Sequence, residues 1–435
     1  MRVALFEDRA AMDQFSPISL LRPVFELLCG QFSSRERALR FLPVTDWGAF
    51  LRSELVDVYQ EEHPESHVND LDWLRVAPTL FLNGRWQADP KSLTTCDPET
   101  AGIIDGCVAY LTLDPTDVAR LTENDADEAL MGIARTRRRV TAPGRLVSYP
   151  WDLIHHNPTQ LNADFAARPF GPSKAHQLGP QVALMGNPRQ IHVDPSASVD
   201  PFVVIDARKG PVTVEAGAMI QAFTRLEGPC HIGRGSQLFR ANVREGTTIG
   251  PVCRVGGEIE GAILHGYVNK YHDGFLGHSY VCPWVNLGAL TTNSDLKNDY
   301  SAVKVPLRGE SIDSGELKVG CFIGDHTKTA IGSLFNTGSA VGVMCLILPD
   351  GELLPKHIPS FSRIWHGDLI DGLPLEKGLE TARAAMERRN IEMSDAQERL
   401  LRTLHAETQL ERERAIERAF SKSESSYSGG LPQSM

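Results

Sequence analysis

The sequence predicts a chain of mixed architecture: an α/β domain, then a parallel β-helix built from six-residue repeats, then a helical extension and a tail. Three observations carry this. Apolar residues recur every six positions in two long series, strand-like and helix-like segments alternate before the first of them, and beyond Pro359 the pattern changes to interleaved charge with apolar residues at helical spacing.

The upstream series is Val214, Ile220, Leu226, Ile232 and Leu238, with Ala218, Thr224, Cys230, Ser236 and Asn242 four residues after each. The downstream series is Leu317, Ile323, Thr329, Phe335, Val341 and Ile347, followed in the same way by Cys321, Thr327, Ser333, Ser339 and Cys345. Neither an amphipathic helix nor an alternating strand gives this spacing. A period of six belongs to solenoids in which each short strand contributes one residue to an interior stack, and the small residues at i+4 suit tight corners. Val193 and Val199, six apart, mark the first rungs.

The α/β reading rests on strands at Met1–Phe6, Ala77–Leu82 and Gly102–Leu111, with helical patterning from Thr116 to Arg139. Alternation of this kind favours a mostly parallel sheet. The Pro- and Gly-rich stretch from Pro169 to Pro188 reads as a linker. The expected boundaries are 1–175 for the α/β domain, 190–365 for the β-helix, 370–420 for the helical extension and 421–435 for a disordered tail. Within the extension, Ser394 and Gln397 have the spacing of a capping box, and Leu400, Leu401, Leu404 and Ile416 follow among Glu and Arg. The tail has too little apolar surface to order itself.

Composition narrows the partners. A length of 435 residues allows more than one domain, and an apolar fraction of 42% suffices for sizeable cores. The net charge of -11 argues against nucleic acid or an anionic membrane as the main partner. No apolar run is long enough to span a bilayer, and the start MRVALFEDR lacks the apolar core of a secretory signal. Eight scattered cysteines without a CxxC pair read as buried thiols in a reducing cytoplasm.

Chemistry concentrates between Asn269 and Asn293, where NKYHDGFLGHSYVCPWVNLGALTTN places His, Lys and amide side chains inside the repeat. His265, His272 and His278 are spaced seven and six apart, which leaves a zinc reading to set beside one in which a single imidazole acts as a base.

The stretch GGEIEGAILHGYVNKYHDGFLGHSYVCPWVNLGALTTNSDLKNDY, with IGDHTKTAIGSLFNTGSAVG after it, resembles the left-handed β-helix of bacterial sugar-nucleotide acyltransferases. More narrowly, these segments together with PISLLRPVFELLCGQFSSRER and YPWDLIHHN resemble the alternative form of the bifunctional uridyltransferase and glucosamine-1-phosphate acetyltransferase. The resemblance covers most of residues 1–367 and leaves out the C-terminal helices.

The resemblance implies a left-handed β-helix that acetylates an amino-sugar phosphate from acetyl-CoA. It also implies a nucleotidyltransferase-like domain that joins a sugar 1-phosphate to UTP or another NTP with Mg²⁺, and assembly as a homotrimer. The family motif H-x-x-[YF]-x-G falls on His272 to Gly277, which makes His272 the general base and Asn286 the sugar- or acyl-holding amide. Phe275 stands where Tyr is usual. Lys270, Asn293 and Lys297 are the nearby donors for the sugar phosphate. Glu260 replaces a Lys of the better-known enzymes twelve residues before the His, so phosphate recognition differs.

In the first domain, no glycine lies between Glu7 and Leu28, where a phosphate loop is expected. Arg22, Arg35, Arg37 and Arg85 are the candidate phosphate-binding residues, and Asp8 and Asp152 the candidate metal ligands. Two rival readings remain: nucleotidyl transfer alone with a structural solenoid, and a sugar-nucleotide-binding regulatory protein with a degenerate first site.

Overall fold

A computed structural model describes residues 1–121 and 126–428. The N-terminal domain is a seven-stranded sheet of β1 (Arg2–Phe6), β2 (Asp46–Phe50), β3 (His67–Val68), β4 (Thr79–Asn83), β5 (Thr100–Ile104), β6 (Cys107–Leu113) and β7 (Arg138–Thr141). Their order across the sheet is β7-β5-β6-β4-β1-β2-β3, all parallel except β6, which runs antiparallel to β4 and β5.

The single strand expected over Gly102–Leu111 is therefore the hairpin β5–β6. Asp105 and Gly106 make its two-residue turn at φ of 49° and 80°, the Asp-Gly combination that such turns require. The helical pattern expected from Thr116 to Arg139 resolves into a helix at Ala126–Ala134 followed by β7, and residues 122–125 lie outside the described part. Four longer-range helices matter for the sites: α1 (Arg9–Gln14), α2 (Ser34–Phe41), α3 (Val56–Glu62) and α4 (Pro150–Ala167).

The repeats fold into a parallel β-helix. Its first face carries nine parallel strands, from Ile191–Val193 through Ile263–Leu264 and Tyr280–Val281 to His357–Ile358. Val214, Ile220, Leu226, Ile232 and Leu238 are fully buried in the interior stack, as the period of six demands. The register then slips: a bulge between Phe239 and Ala241 moves Val243 inward and leaves Asn242 exposed. Leu317 does not belong to the stack either. It is exposed, on an insertion between Asn293 and Cys321 that carries the antiparallel hairpin Lys304–Leu307 and Glu310–Asp313.

The two domains share a core. Phe15, Ile18, Leu27 and Cys29, from the segment after β1, join Trp151 and Ile154 of α4 against Ile263, Tyr280 and Phe322 of the first face. Three further helices, α5 (Leu375–Glu387), α6 (Asp395–Glu407) and α7 (Gln409–Ser428), close the other side. Ala396 and Leu400 of α6 pack on Leu55, Val58 and Tyr59 of the α/β domain, while Leu401 and Leu404 meet Val343 and Phe361 of the solenoid. Helix α7 continues through Ser428, so the segment expected to be a tail from residue 421 is helical over its first eight residues; residues 429–435 lie outside the described part.

Candidate functional site

In a doubly wound sheet, ligands bind at the carboxyl ends of the strands where the strand order reverses. Here that point lies between β1 and β4, and the residues following them are Glu7, Asp8, Gly84 and Arg85. A cavity of about 290 Å³ opens there, lined by Phe6, Asp8, Asn83, Val108 and Met131 among others.

Asp8 is fully engaged. It caps α1 by accepting from Ala11 N at 2.9 Å, accepts from Asn83 Nδ2 at 2.8 Å, and receives Arg85 through Nε at 2.7 and 2.9 Å and through Nη2 at 2.6 Å. A carboxylate offers about four lone-pair sites, and these donors occupy them. Asp152 accepts from Ser148 N at 2.6 Å and Tyr149 N at 3.0 Å, both through Oδ2, in the first turn of α4. Asp8 does not fit the part of Mg²⁺ ligand in this arrangement, and among the described residues no group of three or more His, Cys, Asp or Glu could hold a metal. The same holds for the histidine trio considered for zinc.

The four candidate phosphate-binding arginines are also spoken for, each by a carboxylate. Arg22 is paired with Asp325, Arg35 with Glu26, Arg37 with Asp164 and Arg85 with Asp8. Arg37 is buried and also donates to the Cys29 and Phe32 carbonyls, which makes it a brace for the turn before α2. Guanidinium groups neutralised in this way hold structure together before they hold phosphate.

The solenoid presents a different picture. Its second face displays an outward column in which Arg254 pairs with Asn269, and Asn269 with Asn286, which in turn pairs with Lys328. Asn269 Nδ2 donates to Asn286 Oδ1 at 2.5 Å, locking the two amides together. His272 follows at the corner that ends this face, exposed, its ring edge on Tyr271 at 4.9 Å, and Tyr271 in turn lies on Phe239 at 4.2 Å. Burial holds the Lys328 ammonium down to about 8, so part of the population is neutral near physiological pH.

Lys270 and Asn293 occupy interior positions, contrary to the expectation that they reach a sugar phosphate. Lys270 takes the place in the stack held one coil earlier by Val255, and its Nζ donates to the Gly256 and His272 carbonyls, both at 2.9 Å. Asn293 accepts from Gly277 N at 2.8 Å and donates to Gly277 O at 3.0 Å, tying one coil to the next. Phe275 begins the third face, half-buried, its N–H donating to Thr292 Oγ1 at 2.9 Å. Lys297 lies on the insertion beside Asp299 and Ser301, away from the column. Glu260 is matched by Arg244 and Lys318, both at 3.1 Å.

The structure thus gathers His272, Asn286, Asn269 and Lys328 at one face and its edge. Asn269 was not singled out by motif. The signal was present in the spacing: seventeen residues, one coil, separate it from Asn286, as they separate the paired Ile263 and Tyr280.

Fold and site together define a two-part architecture, a doubly wound α/β domain docked on a parallel β-helix with a polar outward column. Residues 3–169 match the family described as sugar nucleotidyl transferase. A bifunctional sugar-1-phosphate nucleotidylyltransferase/acetyltransferase of Sulfurisphaera tokodaii is 37% identical over 78 residues, 18% of this chain and 20% of that protein. The bifunctional protein GlmU of a Jannaschia species is 37% identical over 109 residues, 24% of this chain and 23% of that protein. The chain therefore spans about a fifth to a quarter of the length of these curated relatives. Among solved structures, UDP-N-acetylglucosamine acyltransferases of Arabidopsis and of Campylobacter jejuni are similar at 13% and 12% identity, each with a TM-score of 0.20. They cover 49% and 51% of this chain, and 77% and 93% of their own.

Proposed function

We propose that this chain is a bifunctional transferase. Its solenoid acetylates an amino-sugar phosphate from acetyl-CoA, and its α/β domain joins a sugar 1-phosphate to a nucleoside triphosphate, with glucosamine 1-phosphate and UTP as the first substrates to try. The observation that carries the reading is the exposed His272 imidazole at the end of a column of locked amides and a lysine whose pKa burial lowers to about 8.

In the acyl transfer, the sugar amine attacks the thioester carbonyl carbon and the new C–N bond forms. The His272 imidazole takes the proton the amine must shed, the C–S bond breaks, and the proton passes to the departing sulfur. Asn286, which accepts from Asn269 through Oδ1, offers an Nδ2–H to the oxygen that gains charge in the tetrahedral intermediate, and such a pre-set donor is worth most when it need not reorganise. Lys328 supplies a positive charge for phosphate.

Apolar side chains support a second copy of the chain across this edge. Phe202, Phe223, Tyr271, Leu290, Ile331 and Leu353 are exposed on the corners of successive coils, and Phe202 and Phe223 stack at 5.8 Å. A homotrimer, with each site walled by a neighbour, covers such a ridge. All eight cysteines are free thiols, in keeping with a reducing cytoplasm.

A second reading of the α/β domain, binding without transfer, is favoured by the Arg85–Asp8 lock. One experiment separates these possibilities. The protein is incubated with acetyl-CoA, UTP, Mg²⁺ and glucosamine 1-phosphate, and acetylated sugar and pyrophosphate are followed. His272→Ala is expected to lower acetylation by about 10²–10⁴-fold and to leave pyrophosphate release unchanged. Acetylation within a few-fold of wild type would remove His272 from the mechanism. Absence of pyrophosphate from wild type across sugar 1-phosphates would favour binding without transfer.

A further inference from the structure

A cavity of about 450 Å³ lies where the α/β domain, the solenoid and the C-terminal helices meet. We propose that it binds an uncharged or amine-bearing sugar ring, at a site separate from His272.

The wall supplied by the solenoid is a ladder of ring edges. Tyr267, Trp284 and His326 occupy the same corner of three successive coils, all at positive φ, with Tyr267 stacked on Trp284 at 4.3 Å and Trp284 on His326 at 6.1 Å. Stacking along the coil axis hides the ring faces from the cavity and leaves the edges to line it. Among the described residues, neither the Tyr267 hydroxyl nor the Trp284 indole N–H has a protein hydrogen-bond partner. His326 is only 8% exposed, yet its Nδ1 also lacks one. A buried polar atom without a partner costs about 1–3 kcal/mol. That cost falls on His326 Nδ1, and with the half-buried Tyr267 hydroxyl and Trp284 N–H beside it the row fits a ligand that carries several hydroxyls, each able to donate and accept.

Charge narrows the ligand further. Arg22 and Arg35 are the guanidinium groups in the wall, against the carboxylates of Glu26, Glu36, Glu62 and Asp325. Both arginines are already matched, to Asp325 and Glu26. Glu36 closes the capping box of α2. Glu62, at the end of α3, has only the Gln397 amide as a hydrogen-bonding partner and no cation at ion-pair distance among the described residues; burial raises its pKa, with Arg22 opposing, so a ligand amine would restore the charge that burial disfavours. Burial keeps His265 and His326 neutral, both down to about 3. The wall therefore carries an excess of negative charge, which disfavours a phosphorylated ligand and welcomes an amine beside Glu62.

The site is distinct from the acyl-transfer column. Tyr267 and His272 stand at corners beyond opposite ends of the strand Asn269–Lys270, and five residues at about 3.3 Å each allow a separation of up to about 16 Å. Met386 of α5 and Leu400 and Leu401 of α6 close the cavity from the third side, so a bound sugar touches all three units of the chain.

The test uses the full-length protein titrated with glucosamine, glucose and glucose 1-phosphate in a calorimeter. In the part of the binding heat that His326→Phe removes, glucosamine is expected to bind saturably and glucose 1-phosphate at least about tenfold more weakly, a difference of about 1.4 kcal/mol. Glu62→Gln should erase the preference for glucosamine over glucose, and His326→Phe, which keeps ring volume and loses Nδ1, should weaken both sugars. If that part is missing for glucosamine up to about 50 mM, or is strongest for glucose 1-phosphate, the proposal fails. It fails equally if His272→Ala abolishes binding while Glu62→Gln and His326→Phe leave it intact, because the sugar would then lie in the acyl-transfer site.

Discussion

Lys270 shows how a residue legible as chemistry in the sequence can act through structure. A lysine two positions before a candidate base suggests a phosphate contact, but the period of six places it in the stack, and its ammonium caps two carbonyls instead. One of these belongs to His272, so Lys270 holds the backbone that presents the imidazole. Burial lowers its pKa from 10.5 to about 8. Below pH 8 both folded and unfolded chains carry the proton; between about pH 8 and 10.5 the unfolded chain carries more, so folding stability rises with pH through that window. A shift of this size corresponds to about 3 kcal/mol at most. Lys270→Met removes the titration and leaves the Gly256 and His272 carbonyls unpaired, at about 1–3 kcal/mol each. In urea unfolding, the variant is expected to be less stable than wild type at pH 7.5, with the gap wider at pH 9.5. An equal gap at the two pH values would mean that Lys270 does not titrate as its burial requires.

At the scale of elements, helix α4 is the joint between the domains. Its Asn157 accepts from Gly30 N at 2.6 Å and donates to Gly246 O at 2.7 Å, satisfying one domain and the other with a single buried amide. Asn157→Ala strands both groups and is expected to cost about 2–4 kcal/mol, read as a fall in the urea midpoint. A loss under about 0.5 kcal/mol, the usual effect of a surface change, would contradict that role. The helix itself was not legible. Only the phrase YPWDLIHHN drew notice, through resemblance, because α4 is bordered by two different surfaces and lacks a clean apolar stripe. The interior stack, by contrast, could be read residue by residue wherever the coils keep strict spacing, since burial there depends on position alone. It failed at Asn242, where a bulge consumes an extra residue, and at Leu317, where an insertion interrupts the coil. The capping box at Ser394 was visible and is present, with reciprocal bonds of 3.1 Å to Gln397. Helix α5 lies inside the helical extension expected over 370–420, with Leu379, Ala382 and Met386 as its buried side. The site residues divide on the same principle. His272 and Asn286 belong to a local motif, whereas the carboxylates that neutralise Arg22 and Arg37 lie 303 and 127 residues away, beyond any local pattern.

For the molecule as a whole, these long-range pairs and the shared apolar core make the α/β domain and the solenoid a single folding unit. The segment after β1, which in nucleotide-binding sheets is commonly a glycine-rich phosphate loop, is here apolar: Phe15, Ile18 and Leu27 are fully buried against or beside the first face of the solenoid. Above them the Arg22–Asp325 pair crosses between the domains with side chains 13% and 2% exposed, and removing one partner of a buried pair typically costs about 3–5 kcal/mol. Such an interface leaves little reason for either domain to melt alone, since each would expose its half of the core and an unmatched charge. Full-length protein is therefore expected to unfold in one calorimetric transition. Residues 1–169 expressed alone, with Phe15, Ile18, Trp151 and Ile154 stripped of their partners, are expected to aggregate or to bind a hydrophobic dye strongly. Two separate transitions in the full chain, or a monodisperse 1–169 fragment without dye binding, would show that the first domain keeps its own core and that the contact with the solenoid is only a docking surface.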